Sequence, residues 1–124
     1  MWNFGFLLGI NIIIQIITGL LLTLYYTSYI NLAYISIYII IREIYIGYSI
    51  RYFHSNGPSL IFILLFIHIL RSLFYGSYFY NTNTWFTGII IYLLLMAIAF
   101  IGYVLPFAQM SLWINTKNTR NNTI

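Results

Sequence analysis

Charge is nearly missing from these 124 residues: 5% of the side chains are charged, and Glu43 is the single acid. A soluble domain of this size needs far more to cover its surface, the usual share being about 25%. A bilayer as solvent removes that need. The chain therefore reads as a membrane protein of three or four spans with no separate soluble domain. Cysteine is absent, which excludes disulfides and thiolate-held metal clusters. The basic residues Arg42, Arg51, Arg71, Lys117 and Arg120 are scattered, so they make no dense face for nucleic acid, and no nucleic-acid partner is expected. The first apolar run lacks a small-residue cleavage site and exceeds a signal h-region, so it is expected to remain as a permanent span.

What is present is apolar and ordered in segments. Residues 4–26 carry no charge and are long enough to cross the hydrocarbon. Residues 33–46 alternate apolar groups with Tyr, Ser, Arg42 and Glu43, a pattern that suits a helix lying in the interface among the lipids. A second span is expected over 47–75, with Arg51, His54 and Arg71 inside it, and a third over 85–105, ending at Pro106. Tyr78 to Thr84 reads as a polar turn, and 114–124 as a solvated polar tail. The expected fold is an all-α membrane protein of three transmembrane helices and one interfacial helix.

One interval recurs. His54 and His68 are 14 residues apart, as are Gly5 and Gly19 in the first span, and Gly88 and Gly102 in the third. Fourteen helical residues rise about 21 Å and return to within roughly 40° of the starting azimuth. The two histidines thus leave one face at separate depths, too far apart for one metal ion and suited to two cofactors. Intramembrane histidine is costly and calls for a functional partner; the plain alternative is a hydrogen bond to a neighbouring helix. Arg51 and Arg71 sit three residues outward of the histidines, where guanidinium could pair with the propionates of a haem or snorkel to the headgroups. With consecutive spans antiparallel, Gly5 and Gly88 fall level with His68, and Gly19 and Gly102 level with His54. Glycines admit a flat macrocycle against a helix, and equally admit close helix packing. The shared register favours two planar ligands. The chain has no third histidine, and although Met96 and Met110 are also 14 apart, Met110 lies beyond Pro106. The second axial ligands must come from outside.

The stretches Trp2-Asn-Phe-Gly-Phe-Leu-Leu-Gly9, Gln15-Ile-Ile-Thr-Gly19, Arg51-Tyr-Phe-His-Ser-Asn-Gly57, His68-Ile-Leu-Arg71, Tyr75-Gly-Ser-Tyr78 and Gly102-Tyr-Val-Leu-Pro-Phe-Ala-Gln-Met-Ser111 resemble the N-terminal half of mitochondrial cytochrome b. They cover 1–113 almost completely, in order. The resemblance implies a four-helix dihaem bundle, with its first three helices here. It implies that His54 ligates a low-potential haem b, with Arg51 and Gln15 nearby. His68 would ligate a high-potential haem b, with Arg71, Ser77 and Trp85 near its propionates. Met96, Phe100 and Tyr103 match positions lining a pocket for quinol oxidation, where quinol gives one electron to an iron–sulfur protein and the other to the low-potential haem, releasing protons. On the residues alone, Phe100 and Tyr103 are interfacial or packing aromatics, and Gln15 could simply bond a neighbouring helix.

The implied setting is a multi-pass subunit of the dimeric quinol–cytochrome c reductase, complex III, in the mitochondrial inner membrane, with ubiquinone as substrate. Partners would be the iron–sulfur protein and a cytochrome c-type subunit, and the chain alone would be inactive. The departures are several. The family's longer N-terminal lead is absent, Phe6 stands where Ser is usual, and Phe107-Ala108 replace Trp-Gly. Pro58 removes an amide four residues after His54, so a local kink is expected. The match ends near Trp113, before the fourth helix, and a second cytochrome b fragment carrying that helix is the expected partner. The alternatives are a haem-free relic and a structural membrane subunit.

Overall fold

A computed structural model describes residues 3–29 and 31–105. The expectations placed on Trp2, Pro106 to Trp113 and the tail 114–124 lie outside the described residues. Five helices follow in order: α1 (Phe4–Thr23), α2 (Ala33–Arg42), α3 (Gly47–Phe74), α4 (Ser77–Tyr80) and α5 (Thr82–Val104). Among the described residues there is no strand. Helices α1, α3 and α5 are long and apolar enough to cross a membrane; at 1.5 Å per residue even α1, the shortest of them, is about 30 Å long.

Inside these spans several hydroxyl side chains bond back to their own helix. Thr18 Oγ1 donates to the Ile14 carbonyl at 2.8 Å, Ser72 Oγ to His68 at 3.1 Å, and Thr87 Oγ1 to Asn83 at 2.9 Å. A hydroxyl satisfied in this way tolerates hydrocarbon, where a bare one would cost several kcal/mol, on the order of the loss of an unmade hydrogen bond.

Helices α1 and α3 pack antiparallel in one register. Leu8, Ile61 and Leu65 form the buried centre of the pair, with Ile12 packed against it. Gly5 and Gly19 face His68 and His54 at its two ends. The pair is therefore dry and apolar at its waist and carries an imidazole at each end.

The connections bend where the sequence gives little warning. Helix α2 stops at Arg42 rather than running to residue 46, and Ile46 adopts φ 65°, a left-handed conformation that β-branched residues avoid. The neighbouring Gly47 explains the tight corner: a Cβ there would collide with the Ile40 carbonyl. Ser36 secures α2 from the other side, donating to Ala33 O at 2.7 Å and accepting from the Thr27 amide at 3.3 Å. At the far end of α3, Gly76 at φ 66° turns the chain into α4. The segment expected as a polar turn is in fact α4 followed by the first turn of α5, with Asn81 (φ −124°, ψ 60°) the one non-helical residue between them. Pro58 lies inside α3, which runs unbroken from Gly47 to Phe74.

Helix α5 stands apart. It has no buried residue, touching the pair through Tyr92 and Leu95 at the core's edge. The Tyr92 and Phe66 rings meet edge-on with centroids 6.4 Å apart. A single hydrogen bond ties its far end to α1, from Tyr26 O–H to the Leu105 carbonyl at 2.6 Å.

Candidate functional site

The two histidines on α3 both turn toward α1, and the residue each meets there is glycine. A Cβ built on Gly19 would sit 3.0 Å from His54 Cε1, and one on Gly5 would sit 3.3 Å from His68 Cε1. Both distances are closer than ordinary carbon contact of about 3.5–4.0 Å. These two glycines therefore give room to the imidazole rings themselves. On α5, by contrast, a Cβ on Gly88 or Gly102 would meet nothing within 4 Å.

Around His54 the three long helices and α2 border an open cavity of about 610 Å³, lined among others by Gln15 and Gly19 from α1, Ile40 from α2, Arg51 and His54 from α3, and Gly102 and Tyr103 from α5. A volume of this size lies within the range of cofactor pockets, about 300–1,000 Å³. The His54 ring is held by a contact of 2.9 Å between its Nδ1 and Thr18 Oγ1. Gln15 reaches α3 as well, its Nε2 donating to the Phe53 carbonyl at 3.4 Å, and its side chain occupies the space that a Cβ on Gly57 would need.

The His68 end differs. Among the described residues, His68 Nδ1 and Arg71 Nε are the two buried side-chain polar atoms without a hydrogen-bond partner. Leaving such groups unpaired costs about 1–3 kcal/mol each, more for a charged one, so both call for a ligand or a further protein group. Ser77 opens α4 just beyond this end, and Trp85 lies in the first helical turns of α5 with its ring 5.9 Å from that of Tyr78.

The structure thus brings together Gln15, Gly19, Arg51, His54, Gly102 and Tyr103 at one end, and Gly5, His68 and Arg71 at the other. Met96 and Phe100 lie on α5, 46% and 72% exposed, and do not border the cavity. Gly88 stands alone, with no side chain against it. Phe6 is exposed on the outer face of α1. Thr18 was not among the residues the spacing singled out. The available signal was its place just before Gly19, one step from the glycine that meets His54.

Chemically, each end offers one imidazole and one guanidinium. Among the described residues no three His, Cys, Asp or Glu side chains gather to hold a metal, and a bare transition ion needs about four donors. A planar group bringing its own equatorial donors and its own carboxylates fits this set far better. It would take one nitrogen from His54 or His68 and pair its acids with Arg51 or Arg71, and at the His54 end the cavity gives it room.

The sequence model of the family described as Cytochrome b/b6/petB matches residues 1–120, and so reaches past Trp113. The chain is 54% identical over 114 residues to a cytochrome b of Mycosarcoma maydis, an alignment that covers 91% of this chain and 29% of that protein. Among solved structures it is similar to a chain of a hyperthermophilic respiratory complex III, with a TM-score of 0.86 and 34% identity over 90% of this chain and 29% of that one. These residues therefore span less than a third of the length of the relatives they match. Residue for residue and helix for helix, the chain belongs to the cytochrome b/b6/petB family.

Proposed function

We propose that these residues form the haem-binding N-terminal part of cytochrome b in a quinol–cytochrome c reductase, a multi-subunit respiratory complex III of the mitochondrial inner membrane. The observation that carries the reading is the pair of imidazoles on α3, 14 residues apart, each facing a glycine of α1 in the same register. That spacing sets two ligand sites about 21 Å apart along the membrane normal, one for each half of the bilayer.

When bound, two b haems supply reversible one-electron transfer, and the protein's part is to hold and orient them. His54 and His68 each offer Nε2 as one axial ligand. The second ligand of each comes from residues beyond these 124, which hold no other histidine. Arg51 and Arg71 lie outward, where they pair with propionate groups and neutralise charge that would be expensive inside hydrocarbon. Ser77 and Trp85 supply further polar contacts at the His68 end, and Gln15 closes the His54 end against α3. Gly88 and Gly102 leave the inner face of α5 bare for a flat ring to approach. Met96, Phe100 and Tyr103 form one stripe of α5 and line the place where ubiquinol is oxidised with the iron–sulfur protein as the other electron acceptor, so that electrons cross the membrane while protons are released. Lipids, a cytochrome c-type subunit and a second copy of the complex complete the surroundings.

The test is an optical difference spectrum of the purified complex, reduced minus oxidised. Two b-type components are expected, and His68→Ala should remove one of them while leaving the other. Absence of b-haem bands in the unaltered complex, or a His68→Ala spectrum and turnover equal to the unaltered ones, would instead favour a relic that kept the fold without electron transfer.

A further inference from the structure

The two ends of the α1–α3 pair share a register but not a hydrogen bond. The residue before Gly19 is Thr18, whose Oγ1 lies 2.9 Å from His54 Nδ1. The residue before Gly5 is Phe4, which has no group to offer, and His68 Nδ1 is buried without a partner. Each histidine faces a glycine and has an arginine three residues outward. A hydroxyl stands against the Nδ1 of His54 alone.

Its direction can be worked out. Thr18 has one hydroxyl proton, and two carbonyls of its own helix compete for it: Ile14 O at 2.8 Å and Gln15 O at 3.2 Å. With the proton on a carbonyl, Oγ1 presents only lone pairs to the ring, so the hydrogen between the two atoms belongs to Nδ1. A neutral imidazole protonated at Nδ1 carries its free lone pair at Nε2, the form that binds a metal. The opposite arrangement, with Thr18 donating to Nδ1, would put the ring proton on Nε2 and block it.

We propose that Thr18 is a positioning residue that fixes the Nδ1–H tautomer of His54 and lowers the reduction potential of the haem at that end relative to the one at His68. An imidazole that donates from its second nitrogen is a more basic ligand. A more electron-rich axial ligand stabilises the more positive, oxidised iron. Without such an acceptor, the His68 ring is the weaker donor, and its haem is the easier to reduce. This inference rests on the haem-ligand reading above.

The experiment is a potentiometric titration of both b haems in the purified complex carrying Thr18→Val or Thr18→Ser. Thr18→Val keeps the shape and removes the acceptor. It should raise the midpoint of one haem by about tenfold in its one-electron equilibrium, roughly 59 mV, and leave the other in place. Thr18→Ser should restore it. If Thr18→Val loses a haem that Thr18→Ser retains, the hydroxyl is again the cause. Unchanged midpoints with both haems retained in Thr18→Val, or equal haem loss in the Val and Ser variants, would overturn the proposal. An unaltered complex without paired b haems would sink the underlying haem reading instead, and is recognised before any variant is compared.

Discussion

The α1–α3 pair and α5 are comparably apolar, yet their apolar faces meet different surroundings. Leu8, Ile61 and Leu65 are buried between α1 and α3, whereas α5 has no buried residue and leaves Leu93, Ile98 and Phe100 open. Hydrophobicity alone does not pair helices in lipid, since the tails are as apolar as leucine. What pairs α1 with α3 is close fit: glycines opposite the imidazoles at both ends, and interlocked Leu and Ile between them. Helix α5 has its glycines too, but nothing in these residues fills the space before them. The difference teaches that apolarity and close fit are separate properties: the pair is joined by its own side chains, while α5 is equally apolar and has no buried residue.

The glycines test this contrast most severely. Gly19→Val should displace His54, because even a Cβ stands at 3.0 Å from its ring. The expected result is loss of one b haem from the optical spectrum. Gly102→Ala should leave assembly of the complex unchanged, as its Cβ meets no protein atom, and should weaken haem retention only through the flat ring it crowds. A Gly102→Ala complex that fails to assemble would blur the distinction between the two helices.

Core truncation comes next. Leu65→Ala opens a void in the buried centre and should cost about 2–5 kcal/mol, measured by unfolding in detergent. Leu93→Ala, on the open face of α5, should change stability by less than about 0.5 kcal/mol. Similar losses at the two positions would show that α5 is packed after all. The smallest effect is expected at the tie between α1 and α5. Tyr26→Phe removes the hydrogen bond to the Leu105 carbonyl, worth about 0.6–1.7 kcal/mol in a membrane, and should increase proteolytic access near the end of α5 without shifting either haem band.

Much of this was legible in the sequence because helices are rigid rulers. The 14-residue intervals, once placed on helices, predict which glycine faces which histidine, and Gly5 with His68 and Gly19 with His54 meet as that geometry requires. The three long helices follow from long apolar runs, uncharged in α1 and α5. The corners were not legible. A left-handed Ile46 contradicts its own β-branched preference, and it is held there by Gly47 pressing on the Ile40 carbonyl, a contact between residues whose approach no local pattern announces. Residues 78–84 look like a turn because they are polar, but Asn and Thr also serve well at helix starts. Thr18 was invisible for another reason: a threonine in a span usually satisfies itself, and only the facing ring reveals that its oxygen has a second use. Pro58 removes one amide from the ladder, yet α3 continues through it as one helix of 28 residues.

The most direct measurement is a density map of the assembled complex at a resolution that shows flat rings. Two planar densities should appear, one at His54 and one at His68, about 21 Å apart. Each should be axially bonded to its imidazole and closed on the far side by a ligand from outside these residues. Solvent or lipid in front of either imidazole, or a planar density bound through other residues, would contradict the account.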